Sequence, residues 1–337
     1  MDIKVIGLDL AKNVFQVHGV DASGHALLRR QLKRREVCDF FAKLEPVLVG
    51  MEACGGAHHW ARELAKLGHT VKVMNPRYVK PFVRTNKNDR TDAEAIAEAA
   101  SRRNVPEVQV KQAWQQDLQS LHRVRSQLMR ERVALGNQMR GLLTEYGIVA
   151  AKGTTALKRA LPQILEDAHN GLSGLMRALL NEQLERWRTL ERAIAEYQRK
   201  LTIAAREHER CAALMEVPGI GVLGATALVA QVNDARALKN GRELAAREGL
   251  VPQHSGSGGK ERLGHISKRG DSYVRTLFIH GARCVLNHAP RKSDRLSRWA
   301  TELMRRRGRN IAAVALANKM ARIAWVILAR GQRYQPQ

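Results

Sequence analysis

Four carboxylates of this chain stand at positions where a catalytic metal site can form. Asp9 ends the predicted strand "IKVIGLDL", and Glu52 ends the predicted strand "PVLVGME". Asp89 and Asp92 lie in "NKNDRTDAEAIAEAA", where a polar segment becomes an alanine-rich helix. Strand ends at one edge of an α/β sheet face a common crevice, and residues i and i+3 of a helix start can face it too. We therefore expect these four acids to meet.

Four carboxylates in one crevice repel each other unless a divalent cation neutralises them. Mg²⁺, with Mn²⁺ as a possible substitute, prefers oxygen ligands and binds phosphate oxygens as well. Two such ions can stabilise both the attacking and the leaving oxygen of a phosphoryl transfer. Taken singly, the acids have simpler interpretations: Asp89 or Asp92 as a helix cap, Asp9 as a turn residue and Glu52 as a surface charge. Their joint placement in a basic protein favours the metal site.

The first hundred residues predict the elements that position these acids. β-rich runs at 3–10, 14–20, 25–32, 46–52 and 69–76 alternate with helical patterns at 35–44 and 58–68. The order β-β-β-α-β-α-β-α indicates an α/β sheet with an antiparallel edge.

Two long helices with near-heptad apolar spacing are predicted next, at 114–146 and 179–201. Such helices pack either on each other within one chain or on a second copy of the chain. The remainder, from Cys211 onward, is predicted to be mainly helical. We expect three domains: 1–106 for catalysis, 107–210 for oligomerisation and 211–337 for the C-terminal part.

The charge of the chain indicates a polyanionic partner. Its 337 residues carry 57 Lys and Arg against 32 Asp and Glu, a net charge of +25. The segment from Arg236 to Gln337 holds 22 Lys and Arg and 6 Asp and Glu, and so contributes +16. Nucleic acid is the commonest polyanion for such a field. A membrane is the competing one, but no apolar run approaches the roughly 20 residues that span a bilayer.

The compartment follows from the cysteines and the start of the chain. Four cysteines are scattered without the spacing of a zinc site or a disulfide framework. "MDIKVIGLDL" has no secretory pattern. We expect a reduced, cytoplasmic protein without membrane attachment.

The second chemical feature is a predicted glycine-rich loop within "PQHSGSGGKERLGHISKRG" at 252–270. It offers the hydroxyls of Ser255 and Ser257 beside basic residues, among them Arg262. A serine attacks phosphate only when its proton is removed and the phosphate charge is neutralised. Basic side chains meet the second need. The simpler interpretation is a flexible surface linker rich in serine and glycine.

With these motifs identified, the chain resembles the DEDD transposases of the insertion-sequence one-hundred-and-ten family almost from end to end. These are relatives of the pilin-gene-inverting recombinases, and some members are recombinases guided by a bridge RNA. "GLDLAKN" and "MEACGG" resemble the first two strand motifs, "NP" at 75–76 a strand-ending signature and "DRTDA" the paired aspartates. "PGIG", "GLVP", "SGSG" and "SKRG" follow in family order.

The resemblance implies a ribonuclease-H or Holliday-junction-resolvase type of N-terminal domain whose tetrad Asp9, Glu52, Asp89 and Asp92 holds magnesium. It also implies that Ser255 breaks DNA and becomes covalently linked to it. The spacing after "SGSG" departs slightly from the family pattern, which leaves Ser257 as an alternative.

The same resemblance implies further partners: DNA, a guide RNA, and other copies of this chain in a dimer or tetramer. We therefore predict a transposase that recombines an insertion sequence. One alternative is a resolvase-like nuclease that uses the same carboxylates with water as nucleophile. Another is a non-catalytic nucleic-acid-binding protein.

Overall fold

The structure is a computed structural model that describes residues 2–83, 89–257 and 260–336. The side chains of Asp89, Arg90, Ser257 and Lys260 lie outside that description. The chain separates into two compact units, Met1–Gln112 and Ala113–Gln337. The predicted division of the second unit at residues 210 and 211 stays a prediction.

The first unit is built on a five-stranded sheet. Its strands are β1 (Val5–Asp9), β2 (Val14–Val20), β3 (Ala26–Lys33), β4 (Leu48–Glu52) and β5 (Thr70–Met74). They lie in the order β3-β2-β1-β4-β5. The hairpin-connected strands β1, β2 and β3 pair antiparallel, whereas β1–β4 and β4–β5 are parallel because helices connect them. This confirms the predicted α/β sheet with an antiparallel edge.

Four helices flank this sheet in the described residues: α1 (Val37–Phe41), α2 (Ala57–Lys66), α3 (Pro76–Val79) and α4 (Asp89–Ser101). Turns of 3₁₀ helix lie at Arg34–Glu36 and Lys80–Phe82. α2 buries its apolar stripe, and Trp60 makes an edge-on contact with Phe15 of β2 at 5.1 Å between ring centroids. α4 buries alanines and Ile96. The sheet thus has separate apolar cores towards α2 and towards α4.

Long helices open the second unit: α5 (Ala113–Thr144), α6 (Thr154–Glu166) and α7 (Gly174–Glu207). Met139 of α5 and Leu184 and Trp187 of α7 belong to one buried cluster, to which Leu157 of α6 also belongs. The two long predicted helices therefore pack on each other within one chain. Association with a second copy stays a prediction.

The rest of the second unit is mainly helical, as predicted. It contains α8 (Glu209–Met215), α9 (Val222–Gln231), α10 (Gly241–Arg247), α11 (Ser272–His288), α12 (Arg295–Arg307) and α13 (Arg309–Arg330), with 3₁₀ turns at Ala235–Ala237 and Ala289–Arg291. The core is assembled around α13, whose small residues let neighbouring helices approach closely.

By length and composition α13 could cross a membrane, contrary to the expectation from the sequence that no apolar run is long enough. Half of its most apolar window is buried inside the fold. Leu316, Met320 and Ala324 are fully buried among α8–α12. This burial is the pattern of a core helix.

The described parts of the stretch predicted as a glycine-rich loop form a hairpin of β6 (Pro252–Ser257) and β7 (Lys260–Ile266). The prediction of a loop is wrong for these residues. Their main-chain groups find partners on the other strand, and this pairing outweighs the weak strand preference of glycine. Ser255 therefore lies within a strand.

Candidate active site

Asp9 and Glu52 lie side by side at one edge of the sheet. β1 and β4 are parallel neighbours whose register pairs Gly7 with Gly50, and both strands end two residues later, at the two acids. Since side chains alternate along a strand, Asp9 shares the face of Gly7 and Glu52 that of Gly50. Both acids are half-buried.

The charges of both carboxylates affect the thiol of Cys54. Burial raises its pKa first, and the negative charges of Asp9 and Glu52 raise it further. A thiolate here would face two like charges, so the thiol form is favoured. The electrostatic influence of both acids on one sulfur agrees with their neighbouring positions in the sheet.

Helix α4 covers the face that carries these acids. A Cβ added to Gly7 would lie 2.0 Å from the carbonyl oxygen of Ala93 and 2.6 Å from the nitrogen of Ala97. A Cβ added to Gly50 would lie 2.5 Å from the Cβ of Ala100. Only glycine allows a helix to approach the strands so closely. The glycines two residues before Asp9 and Glu52 thus make room for the helix.

The way in which α4 crosses the strands turns Asp92 towards the same edge. Ala93 and Ala97 lie against Gly7 of β1, and Ala100 lies against Gly50 of β4. The helix therefore crosses from β1 to β4, and its residues Glu94 and Glu98 line a cavity with Val5 and Leu48 at the starts of these strands. Asp92 is about 200° from Glu94 around the helix. The half-buried Asp92 is therefore on the other side of α4, towards the strand ends that carry Asp9 and Glu52. Asp89 begins the helix, but its side chain lies outside the described residues.

Among the described side chains, no three His, Cys, Asp or Glu residues are close enough together to hold a metal ion. The fourth predicted ligand, Asp89, is not among the side chains so described. The predicted ligands at this edge are carboxylates, whose hard oxygen donors fit Mg²⁺ or Mn²⁺, and the raised pKa of the nearby Cys54 disfavours the thiolate that zinc would bind. The donor atoms of these residues therefore fit the predicted Mg²⁺ or Mn²⁺.

Ser255 belongs to the second unit and is exposed on β6. The register places it directly opposite Arg262 of β7. Directly opposed residues of an antiparallel pair have their Cβ atoms about 5 Å apart on one face. The register also pairs Ser257 with Lys260, whose side chains lie outside the description. Ser255 is therefore accessible to a large substrate and has a cation across the strand.

The root of this hairpin is closely packed. Gly249 and Gly270 have φ angles of +72° and +80°. A Cβ on Gly249 would lie 2.1 Å from the carbonyl oxygen of Arg269, and a Cβ on Gly270 would lie 1.7 Å from that of Arg247. Lys268 has a φ of +52°, and its N–H donates to the carbonyl oxygen of Gly249. Positive φ angles favour glycine, so the "REGLVP" and "SKRG" segments fix how the hairpin leaves the core.

A buried carboxyl at this root was missed by sequence reasoning. Glu248 is fully buried, and neither carboxyl oxygen has a hydrogen-bond partner among the described residues. Its pKa is raised to about 7, chiefly by burial and also by Asp271, against the opposing charge of Arg247. The local sequence "AAREGLVP" predicts an exposed, charged glutamate. Its burial becomes visible only in the structure, where α10 packs into the core.

A buried histidine was missed as well. His122 of α5 makes hydrogen bonds of 3.0 Å with the hydroxyls of Tyr273 and Thr226. Its pKa is lowered to about 4, first by burial and then by the charge of Arg125. Because the Thr226 hydroxyl donates to the carbonyl of Val222 at 2.6 Å, it accepts from the imidazole Nε2–H. The neutral ring thus joins α5, α9 and α11.

An α/β unit with carboxylates at neighbouring strand ends, in one chain with a basic helical unit, is typical of enzymes that process nucleic acids. Comparison with known proteins identifies the family. Residues 6–148 match the DEDD transposase family of the IS110 type, and residues 211–297 match the IS116/IS110/IS902 transposase family.

Several relatives cover the whole chain. It is 51% identical over 337 residues to a probable family 20 transposase of Pseudomonas aeruginosa, covering 100% of both proteins. It is 44% identical to the transposase for insertion sequence element IS1111A of Coxiella burnetii, covering 99% of this chain and 92% of the relative. It is 39% identical to the transposase for insertion sequence element IS1328 of Yersinia enterocolitica, covering 98% of each.

The chain therefore belongs to the IS110 family of insertion-sequence transposases. This family implies an enzyme that cuts and rejoins DNA, with DNA as its partner. DEDD transposases typically depend on a metal ion. The predicted resemblance is thus confirmed.

Proposed function

We propose that this transposase recombines DNA through a covalent bond to Ser255, with Asp9, Glu52, Asp89 and Asp92 holding Mg²⁺. The observation that carries the proposal is the shared sheet edge of Asp9 and Glu52, with the helix that carries Asp92 packed over both strands. Each carboxylate alone could be structural. Carboxylates at two neighbouring strand ends and on the helix that packs over them favour a hard divalent cation.

The ion, when bound, would neutralise phosphate charge and favour ionisation of the attacking hydroxyl. The task of the protein is to hold the four carboxylates in place. The half-buried Asp9 and Glu52 sit on paired strands, and Asp92 on a helix packed without any gap against them. Such rigid supports hold ligands within the narrow tolerance that catalysis requires.

The first covalent step joins the Oγ of Ser255 to the scissile phosphorus. The bond from phosphorus to one sugar oxygen breaks, and the serine proton passes by way of a base or water to that oxygen, which leaves as a hydroxyl. In the second step the hydroxyl of another strand attacks the phosphoserine, and Ser255 recovers its proton. One phosphoester replaces another in each step, so rejoining needs no ATP. The exposure of Ser255 and the opposed Arg262 support this role.

The partners other than DNA are part of the proposal. We infer a guide RNA that selects target and donor by base pairing, while the basic C-terminal third holds backbones. A dimer or tetramer would let Ser255 of one subunit serve the carboxylates of another. The protein would act in the cytoplasm.

Trapping the covalent intermediate tests the proposal. Protein is incubated with labelled DNA bearing the ends of its element, the guide RNA and Mg²⁺, and denatured products are separated on gels. Wild type should yield a labelled protein–DNA adduct, and Ser255→Ala should yield neither adduct nor recombinant. Asp92→Asn should remove the adduct while leaving DNA binding unchanged.

Ser257→Ala and Ser293→Ala are the matched controls. The first tests the alternative nucleophile, and the second is an exposed serine elsewhere in the same unit. Both should keep wild-type adduct levels. Loss of the adduct in Ser257→Ala alone would transfer the nucleophile to that residue. Cleavage that persists in Ser255→Ala and Ser257→Ala would indicate a nuclease that uses water, and binding without any cleavage a non-catalytic protein.

A further inference from the structure

A buried lysine lies under the end of the helix that carries Asp92. Lys72 of β5 pairs in register with Gly50 of β4 and is only 6% exposed. Paired residues of neighbouring strands share a face, so Lys72 continues the row formed by Gly7 and Gly50. This row crosses the sheet beneath α4.

The ammonium of Lys72 binds the C-terminal end of α4. Its Nζ donates to the carbonyl oxygen of Ala100 at 3.1 Å and to that of Arg102 at 2.6 Å. The last carbonyls of a helix have no partner within the helix, and they carry the negative end of its dipole. A cation below them satisfies both needs. A buried ammonium is costly unless it is hydrogen-bonded, so this arrangement tolerates little displacement.

Two kinds of contact attach α4 to the sheet. The helix rests on Gly7 through the backbone of Ala93 and Ala97 and on Gly50 through the Cβ of Ala100, and these packing contacts fix its height above the sheet. The hydrogen bonds from Lys72 are directional, and they fix the helix along its axis. Because a helix of 13 residues is a rigid rod about 20 Å long, a shift at its last turn is transmitted to its first.

We propose that Lys72 is a positioning residue for the metal site: by holding the last turn of α4, it sets the place of Asp92 relative to Asp9 and Glu52. This inference rests on the proposed function. Lys72 touches neither substrate nor metal, and it lies among residues that sequence patterns present as an ordinary strand, "TVKVM".

The test measures metal binding and activity separately. Lys72→Met keeps the length of the side chain and removes the ammonium. Mn²⁺ binding to the protein without DNA, followed by electron paramagnetic resonance, should weaken about tenfold, the usual cost of removing an outer support of a metal site. The Mg²⁺ concentration for half-maximal adduct formation should rise by a similar factor. At saturating metal the adduct rate should return to near the wild-type value.

Lys66→Met is the matched control, because Lys66 is an exposed lysine of the same unit. It should leave both metal measurements unchanged. If Lys72→Met fails to fold, as shown by circular dichroism, Lys72→Gln replaces it, since its amide can still donate one hydrogen bond. An intermediate metal affinity in Lys72→Gln supports the proposal.

Two results separate the possible failures. If wild type and Asp92→Asn bind Mn²⁺ equally, the proposed metal site itself is wrong. If Asp92→Asn loses Mn²⁺ but folded Lys72→Met or Lys72→Gln binds it as tightly as wild type, only the role of Lys72 is refuted.

Discussion

Gly7 of β1 and Ala93 of α4 are in such close contact that a Cβ on Gly7 would lie 2.0 Å from the Ala93 carbonyl oxygen. Both contacting groups are backbone, so no side-chain rotation can relieve the overlap. We predict that Gly7→Ala displaces α4 and destabilises the first unit by about 1–3 kcal/mol, as overpacking does. The displacement should also abolish adduct formation.

Urea denaturation measures this change in the free energy of unfolding. The control is Gly141→Ala, because Gly141 lies in α5 with no atom within 4 Å of a built Cβ. Alanine favours a helix interior, so this variant should be as stable as wild type or more stable, by up to about 1 kcal/mol. A stable, active Gly7→Ala would contradict the tight packing of α4.

The order of strands and helices in the first unit was predictable because short-range patterns determine it. β-rich runs, the turn at residues 11–13 and the stop at Pro76 are all local signals, and they also indicated where Asp9 and Glu52 end their strands. The neighbouring position of these two acids then follows from parallel topology. Long helices were equally visible, since their apolar periodicity extends over many turns.

Contacts between distant residues could not be predicted in this way. Lys72 and Ala100 are 28 positions apart, and nothing in "TVKVM" distinguishes the lysine from one that faces solvent. Glu248 and His122 are similar cases: their burial depends on how several helices pack. The hairpin at Ser255 was misjudged because composition suggested flexibility, whereas pairing with β7 decides its conformation.

His122 predicts a loss of stability in acid. Its pKa is lowered to about 4 in the folded protein by burial, against an ordinary value of 6.5. The unfolded chain therefore takes up a proton as the pH falls below 6.5, and the folded protein does so only near pH 4. The contribution of His122 should fall by about 3 kcal/mol over this interval.

Comparison with His122→Gln isolates this effect. At each pH from 7 to 4, the free energy of unfolding is measured for both proteins. The stability advantage of wild type should shrink towards pH 4. A difference that stays constant with pH would show that His122 titrates alike in both states.

We predict that the arginines at the end of α12 contribute to salt-dependent binding of nucleic acid. Arg305, Arg306 and Arg307 are exposed, and the contact of Arg306 with Glu302 is between exposed side chains, which contributes little. Replacing all three by glutamine should weaken binding to duplex DNA. The slope of log K against log salt should become shallower by about 0.9 for each phosphate that the protein no longer neutralises.

A matched triple variant controls for overall charge. Arg186, Arg188 and Arg192 are exposed on α7, where Glu185 and Glu191 offset them. Their replacement by glutamine removes the same charge and should change the salt slope less. Equal slopes for the two triple variants would show that binding depends on net charge alone.

Glu248 predicts the opposite dependence on pH from His122. Its carboxyl is fully buried, and its pKa is raised to about 7 from an ordinary 4.5, first by desolvation and then by Asp271. Below pH 4.5 it is neutral in both states. Between pH 4.5 and 7 the unfolded chain loses this proton but the folded protein keeps it, so stability falls as the pH rises. The loss should amount to about 3 kcal/mol above pH 7.

Glu248→Gln removes this titration and keeps the shape of a neutral carboxyl group. We predict that the variant gains on wild type as the pH rises from 5 to 8, when the free energies of unfolding are compared in urea. Asp167→Asn serves as the control, because Asp167 is exposed and its replacement should leave the pH dependence unchanged.

Since Glu248 adjoins Gly249 at the root of the hairpin, its ionisation above pH 7 should also loosen the support of Ser255. Adduct formation by wild type should then decline above pH 7 more steeply than in Glu248→Gln. If the two pH profiles are parallel, the ionisation of Glu248 does not affect the hairpin that carries Ser255.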